Sequence, residues 1–377
     1  MQMSKKYGLN RLLTVWKNTQ APWLYDVPNC ALQECLRNQD QAFKNFWRRC
    51  ANGDGRKGFP RYKGRRDGAA FTLRGAIRVD GRRIALPWAR GQSLGSVRLK
   101  ERGFMVRRMA KDGIDPEKTT IKSATISERA GRWFVSMLVE EEVPEPRPAT
   151  NAPMGADLGS RKLLTLSDGT YYESPHALKG QLRKLRRLNR EFSRRYKRGK
   201  PLTENARKTL AKIASVHFRI ACIRQNAAHQ VTHDVIASAN PSVLCIEDLH
   251  VQGMMQNTRL ARTIADAGMG EVKRQLEYKA KWHGVEIVHA DRFFPSSKTC
   301  SDCGCIKTDL GSSEVFRCRE CGLVIDRDLN AARNLQKVAA KSAETQNALG
   351  GGCLEEPVDE LGTHITRGCE VAADAAC

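Results

Sequence analysis

The spacing of apolar residues changes several times along the chain, and each change predicts a different kind of element. In NCALQECLRNQDQAFKNFWRRC the residues Leu32, Leu36, Phe43 and Phe46 recur at helical spacings, so residues 1 to about 50 read as helical. A Gly/Arg/Lys-rich link, GDGRKGFPRYKGRRDG, then gives way to short β-type runs: AAFTL, AIRVD, RRIALP, SVRLK and ATISERAGRWFVSMLVEEE. The proline-rich stretch VPEPRPATNAP marks a domain boundary. After it, MGADLGSRKLLTLSDGTYYES predicts three short strands with turns at Leu158-Gly159 and Asp168-Gly169. A long basic stretch from Lys179 to beyond His233 has helical periodicity. PSVLCIEDL reads as a short buried strand, Glu271–His283 as a helix, VEIVHA as another strand, and DRDLNAARNLQKVAAKSA as a final helix. No internal repeat is visible.

Charge narrows the function classes. The 377 residues carry 64 Lys plus Arg against 41 Asp plus Glu, a formal net charge of +23. Such self-repulsion calls for an anionic partner, and nucleic acid is the usual one. The excess is concentrated before residue 339. Residues 339–377 hold seven acids against two bases, together with a GGG run and few large apolar residues, which predicts a disordered acidic tail. The start MQMSKKYGLN has no apolar signal region, and no stretch approaches the roughly 18 apolar residues of a membrane span, so the expected location is cytoplasmic with no membrane partner. Of the 13 cysteines, those near the C-terminus cluster, and in a reducing compartment clustered cysteines bind metal rather than form disulfides.

That cluster is Cys300-x-x-Cys303 and Cys318-x-x-Cys321, with fourteen residues between the pairs. The spacing fits a tetrahedral four-thiolate Zn²⁺ site, and with all four positions filled its role is structural. Gly304 and Gly322 follow the second cysteine of each pair, where a tight turn aims backbone N–H groups at sulfur. Cys305 breaks the spacing.

Three acids stand at element ends. Asp157 closes the apolar entry PMGAD, Glu247 ends the apolar strand VLCIE, and Asp328 opens the final helix. Taken singly, each has an ordinary explanation: a turn former, a solvated strand end, a helix N-cap. The element order changes the weighting. Three strands, a helical stretch, a strand ending in Glu and a late helix opening with Asp form the layout of the RNase H-like fold, which gathers such acids at one sheet edge. Converging carboxylates repel one another unless a hard cation sits between them, and two Mg²⁺ ions about 3.5–4 Å apart would suit phosphodiester hydrolysis. Close by, KGQLRKLRRLNREFSRRYKRGK sets an apolar stripe of Leu182, Leu185, Leu188 and Phe192 among eleven cations, as a helix lining a nucleic-acid channel requires. Phe59 and Tyr62 in RKGFPRYKGRR could stack on bases.

Together GADLGSRKLLTLSDG, LCIEDL, KTCSDCG…RCRECG and DRDLNAARN resemble the TnpB family, transposon-encoded RNA-guided DNA endonucleases related to type V CRISPR effectors. The resemblance is specific from about Asn151 to Val338 and looser upstream. It implies an α+β multidomain protein with a helical recognition region (1–55), a wedge β-barrel portion (56–148) and a RuvC-like, RNase H-like nuclease domain (149–338) carrying an inserted zinc ribbon (296–325); the acidic tail (339–377) lies outside the resemblance. By position, Asp157, Glu247 and Asp328 match the family's three acids, with Asp326 the lesser candidate for the last. The implied partners are a guide RNA from the protein's own element and double-stranded target DNA in a prokaryotic nucleoid. The implied alternative is a guided DNA-binding protein that does not cut. Family members carry a further strand and helix before the matching part, so this chain is expected to open inside the recognition region.

Overall fold

The computed structural model describes residues 6–53, 58–62, 64, 68–75, 77–80, 82–100, 120–140, 144–307, 313–348 and 368–369. The chain divides into two compact units, Met1–Pro144 together with Asp359–Cys377, and Glu145–Val358.

In the first unit the helical expectation resolves into α1 (Lys6–Thr19) and α2 (Asn29–Ala51), separated by a single 3₁₀ turn at Pro22–Asp26. Pro22 opens that turn and Pro28 precedes α2, at the helix-start positions where a missing N–H costs nothing. Buried Glu34 of α2 pairs with Arg37 and with Arg74 of β1 (Ala70–Arg74), joining helix to strand. β1 pairs antiparallel with β5 (Thr120–Arg129), which forms a hairpin with β6 (Arg132–Glu140). β2 (Arg78–Asp80), β3 (Arg83–Ala85) and β4 (Ser96–Arg98) form a second antiparallel sheet. Ile84, Ala124, Met137 and Val139 build a shared core. Among the described residues, the strands of this unit form these two antiparallel sheets.

The second unit has three layers. Its sheet runs β11-β10-β7-β8-β9, with β7 (Met154–Asp157), β8 (Lys162–Leu166) and β9 (Tyr171–Glu173) in an antiparallel meander. β10 (Val243–Glu247) lies parallel to β7, and β11 (Glu286–Ala290) parallel to β10. Side chains alternate across a strand, and here both faces are covered. Ala156, Leu244 and Ile246 point into a core that includes Ala228 and Val231 of α4 (Glu204–His233) and Val272, Leu276 and Ala280 of α7 (Met269–His283). Val243, Cys245 and Ala290 point the other way, onto Leu335 and Ala339 of α8 (Arg327–Ala348). Burial in that second core holds the Cys245 thiol up at about 11.

One sequence expectation is refined and another changes. The long basic stretch with helical periodicity resolves into two helices, α3 (Ala177–Arg195) and α4, packed through Leu185, Leu188, Ile213, Val216 and Ile220. Gly199 in the left-handed region and Pro201 interrupt it, and the Thr203 hydroxyl then caps α4 by accepting from the Ala206 N–H. Short helices α5 (Val251–Met254) and α6 (Ala261–Ala267) fill a stretch that the pattern left unassigned. The boundary expected at Val338 falls inside α8, which continues to Ala348 because Leu335, Ala339 and Ala343 extend its apolar stripe over the sheet. Of the remaining tail, Gly368–Cys369 (β14) pairs with β6, and the rest lies outside the described residues. Among the described residues, no helix is long and apolar enough to cross a membrane.

Candidate metal centres

Strand register explains how two distant acids meet. Leu244, Cys245 and Ile246 pair with Met154, Gly155 and Ala156, so the next step places Glu247 beside Asp157 on strands about 4.8 Å apart. Alternation puts both on the face covered by α8. The third acid arrives because α8 can come unusually close. A Cβ at Gly155 would lie 2.1 Å from the Ala332 carbonyl oxygen and 2.3 Å from the Gln336 nitrogen, so only glycine fits. Ala331 and Ala332 are fully buried at this contact, as small residues there must be. The Gln336 side chain donates to the Pro153 carbonyl at 3.0 Å and locks the crossing. Asp328, in the first turn of α8, is thereby delivered to the sheet edge.

The electrostatics record the meeting. Burial pushes the Asp157 carboxyl well above its ordinary value, and the charges of Glu247, Asp328 and Asp326 push it further, opposed by Arg327. Asp326 has a different job. Its Oδ1 accepts from the N–H groups of Asp328 and Leu329 at 3.0 and 3.2 Å, capping α8, and its Oδ2 pairs with Lys162 Nζ at 2.7 Å. Burial alone would raise its pKa, but the Lys162 bond and the backbone donors outweigh that and hold it down. Asp248, next to Glu247, is likewise committed, to Lys273 at 2.9 Å and Arg292 at 2.8 Å, and these bonds lower its pKa. Asp157, Glu247 and Asp328 are less committed: Glu247 accepts from one serine hydroxyl, that of Ser296, and Asp328 faces the Arg327 guanidinium only at 3.6 Å. Their oxygens are the donor type that Mg²⁺ prefers, and three acids drawn to one place suit a hard divalent cation.

The four cysteines form a second candidate centre. The Sγ atoms of Cys300, Cys303, Cys318 and Cys321 all lie within 4.8 Å of one another, with 3.6 Å between Cys300 and Cys321 and between Cys303 and Cys318. A tetrahedral zinc with Zn–S near 2.3 Å has sulfur–sulfur edges of about 3.8 Å, so the group could hold such an ion. Gly304 and Gly322 take φ of +77° and +74°, the left-handed turns expected after each pair. The exposed Cys305 lies outside the group, and its carbonyl accepts from the Cys300 N–H. Phe316, with Leu323 and Ile325, packs beneath the sulfurs between β12 (Val315–Arg317) and β13 (Val324–Asp326).

Asn330, read from the sequence only as part of a close helix–sheet contact, and two residues that the reading did not name, Asn334 and Ser296, tie the two centres together. Asn330 of α8, fully buried, donates to the Thr299 carbonyl at 2.7 Å and accepts from the Ser301 N–H at 2.8 Å, bracketing Cys300. Asn334, one turn on, donates to the carbonyls of Ser296 and Thr299. The Ser296 hydroxyl donates to Glu247 Oε1. Asn330 and Asn334 stand four apart on a helix face, a signal visible in DRDLNAARN, whereas nothing local marks Ser296.

The basic face of α3 turns outward: Arg183, Lys184, Arg186, Arg187, Arg190 and Arg194 are exposed, while Leu185 and Leu188 are buried. Tyr62 is almost fully exposed, whereas the Phe59 ring packs edge-on against Phe43 and Phe46 and so braces α2.

Comparison with known proteins places this arrangement. The family model described as "Probable transposase" matches residues 136–258, and the "Cas12f1-like, TNB domain" matches 270–335. A protein named "Putative RNA-guided DNA endonuclease" in Streptomyces pristinaespiralis is 36% identical over 86% of this chain and 75% of its own length. One of the same name, InsQ, from Escherichia coli K12 is 33% identical over 86% of this chain and 78% of its own length. TnpB-like protein MJ0751 of Methanocaldococcus jannaschii is 31% identical over 41% of this chain and 57% of its own. Among solved structures, a Cas12f1–sgRNA–target DNA complex aligns at TM-score 0.47 and 14% identity, covering 89% of this chain and 76% of that one. The chain belongs to the TnpB family.

Proposed function

We propose that this chain is an RNA-guided DNA endonuclease whose RuvC-like domain hydrolyses phosphodiester bonds at Asp157, Glu247 and Asp328. The observation that carries the reading is the gathering of these three acids at one sheet edge while the neighbouring Asp326 and Asp248 are neutralised by lysine and arginine. The mixed sheet order, with a parallel fourth strand ending in Glu247, supports an RNase H-like domain. Divalent cations bound there would activate water and stabilise the leaving oxygen. Asp157 and Glu247 hold the ligand oxygens on rigid strand ends, and Asp328 closes the set from a helix whose first turn Asp326 caps. The cysteine cluster is the structural zinc ribbon, closed by four thiolates. Names of the relatives support guide RNA and target DNA as partners, and the exposed cations of α3 suit their phosphates.

The test co-expresses the chain with its native flanking DNA and incubates the purified complex with Mg²⁺ and plasmids bearing the matching target beside a randomised flank. Cleavage that requires both the co-purified RNA and Asp157 is expected. Co-purified RNA without cleavage would mean a guided binder, and no RNA at all would refute the reading.

A further inference from the structure

Among the described residues, one side-chain hydroxyl holds the Glu247 carboxylate, and the placement of that hydroxyl is over-determined. Ser296 is 3% exposed, and its Oγ donates to Glu247 Oε1, the carboxylate being an acceptor only. Its own N–H donates to the Phe294 carbonyl at 2.8 Å, and its carbonyl accepts from Asn334 Nδ2 at 2.8 Å. The following turn closes on Pro295, whose carbonyl accepts from the N–H groups of Lys298 and Thr299 and from the Thr299 hydroxyl. Asn330 and Asn334 then bind the Thr299 carbonyl, both at 2.7 Å. The serine therefore sits on a turn fixed at one end to α8, which carries Asp328, and at the other to the strap holding Cys300. A long Glu side chain at a strand end has rotatable bonds to spare, and a fixed donor on one oxygen removes that freedom.

We propose that Ser296 is a positioning residue for Glu247: by holding Oε1 it sets the carboxylate plane and leaves Oε2 as the oxygen presented to the divalent cation. The inference rests on the reading of Asp157, Glu247 and Asp328 as a cation site. The chemistry is that of outer-shell partners generally, which orient a ligand before the metal arrives and typically account for about 10–100-fold in affinity or activity.

The experiment uses Fe²⁺ as the probe, in the full chain with its co-purified RNA. With ascorbate and peroxide, iron seated among the acids cuts the polypeptide locally, giving fragments that end near residues 157, 247 and 328 independently of DNA cleavage. Ser296→Ala should raise the Fe²⁺ concentration needed for half-maximal fragmentation by about 10-fold and slow target cleavage by a similar factor at saturating DNA. Target affinity and zinc content should stay unchanged. Ser296→Thr, which keeps the hydroxyl, should recover most of the effect. In a Glu247→Ala background the serine substitution should add nothing. Equal Fe²⁺ requirement in wild type and Ser296→Ala overturns the proposal alone, as does a further loss in the Glu247→Ala background. Loss of zinc from Ser296→Ala also overturns it, since the serine would then serve the ribbon. A wild-type complex that gives no such fragments overturns the cation site and this inference together.

Discussion

Two desolvated aspartates in the same unit have opposite electrostatics. Asp266, 4% exposed, accepts from the N–H groups of Leu178 and Lys179 at 2.8 and 3.1 Å and from the Arg224 guanidinium at 3.1 and 2.8 Å. Burial raises its pKa, but these donors outweigh the burial and hold it below the usual value. Asp157 meets burial and like charges together, and its pKa rises. One carboxylate is electrically finished by the fold, anchoring the start of α3 to α6. The other is left with a charge that the protein itself does not balance. The two acids are told apart by the donors and charges around them rather than by burial alone.

Substitutions at each place sharpen that contrast. Asp157→Ala should lower target cleavage by roughly 10²–10³-fold or more, the scale lost with one group stabilising transition-state charge. RNA-dependent DNA binding, followed by gel shift, should be nearly unchanged, and equal loss of both would count against a catalytic role. Asp266→Ala should instead cost about 1–3 kcal/mol of unfolding free energy, because it leaves the Leu178 and Lys179 N–H groups and the partly buried Arg224 guanidinium without their acceptor. The stabilisation from Asp266 is present above the unfolded aspartate value of about 3.9 and is lost as pH falls through its lower folded value. Denaturant melts should therefore show the wild-type advantage at neutral pH and its disappearance in strong acid. An advantage that grew in acid would invert the assignment.

Gly155→Ala probes how Asp157 acquires its neighbours. Overpacking against the α8 backbone should cost about 1–3 kcal/mol, and any outward shift of α8 carries Asp328 away, so cleavage should fall more than stability does. Unchanged cleavage in a folded variant would show that the close crossing is dispensable. The smallest effect is expected from Lys162→Ala. Its pair with Asp326 is partly exposed, so the melting free energy should drop by about 0.2–1 kcal/mol. A loss of several kcal/mol would place Asp326 among the buried pairs instead.

Much of this unit was legible because its signals are local. The order of strands and helices follows from apolar spacing, Cys-x-x-Cys pairs declare their own turns, and VLCIEDL announces a buried strand that ends in charge. Where local signals competed, the reading slipped. Basic periodicity ran across Gly199 and Pro201, and the low hydropathy of the tail hid the alanine stripe that carries α8 to Ala348. The sequence reading ranked Asp328 above Asp326 by position alone; that Asp326 is tied to Lys162, more than 160 positions away in the chain, had no local signal.

By itself, then, the sequence determined which residues could bind metal and which elements would bear them, since hydrophobic period and ligand spacing act over a few residues. Only the tertiary structure decided which partners each acid takes, how near α8 approaches β7, and that Ser296, Asn330 and Asn334 join the cysteine cluster to Glu247. Those outcomes depend on sheet register and on contacts between segments far apart in the chain, where a hydrogen bond or a missing Cβ acts through space and leaves no periodic trace in the sequence.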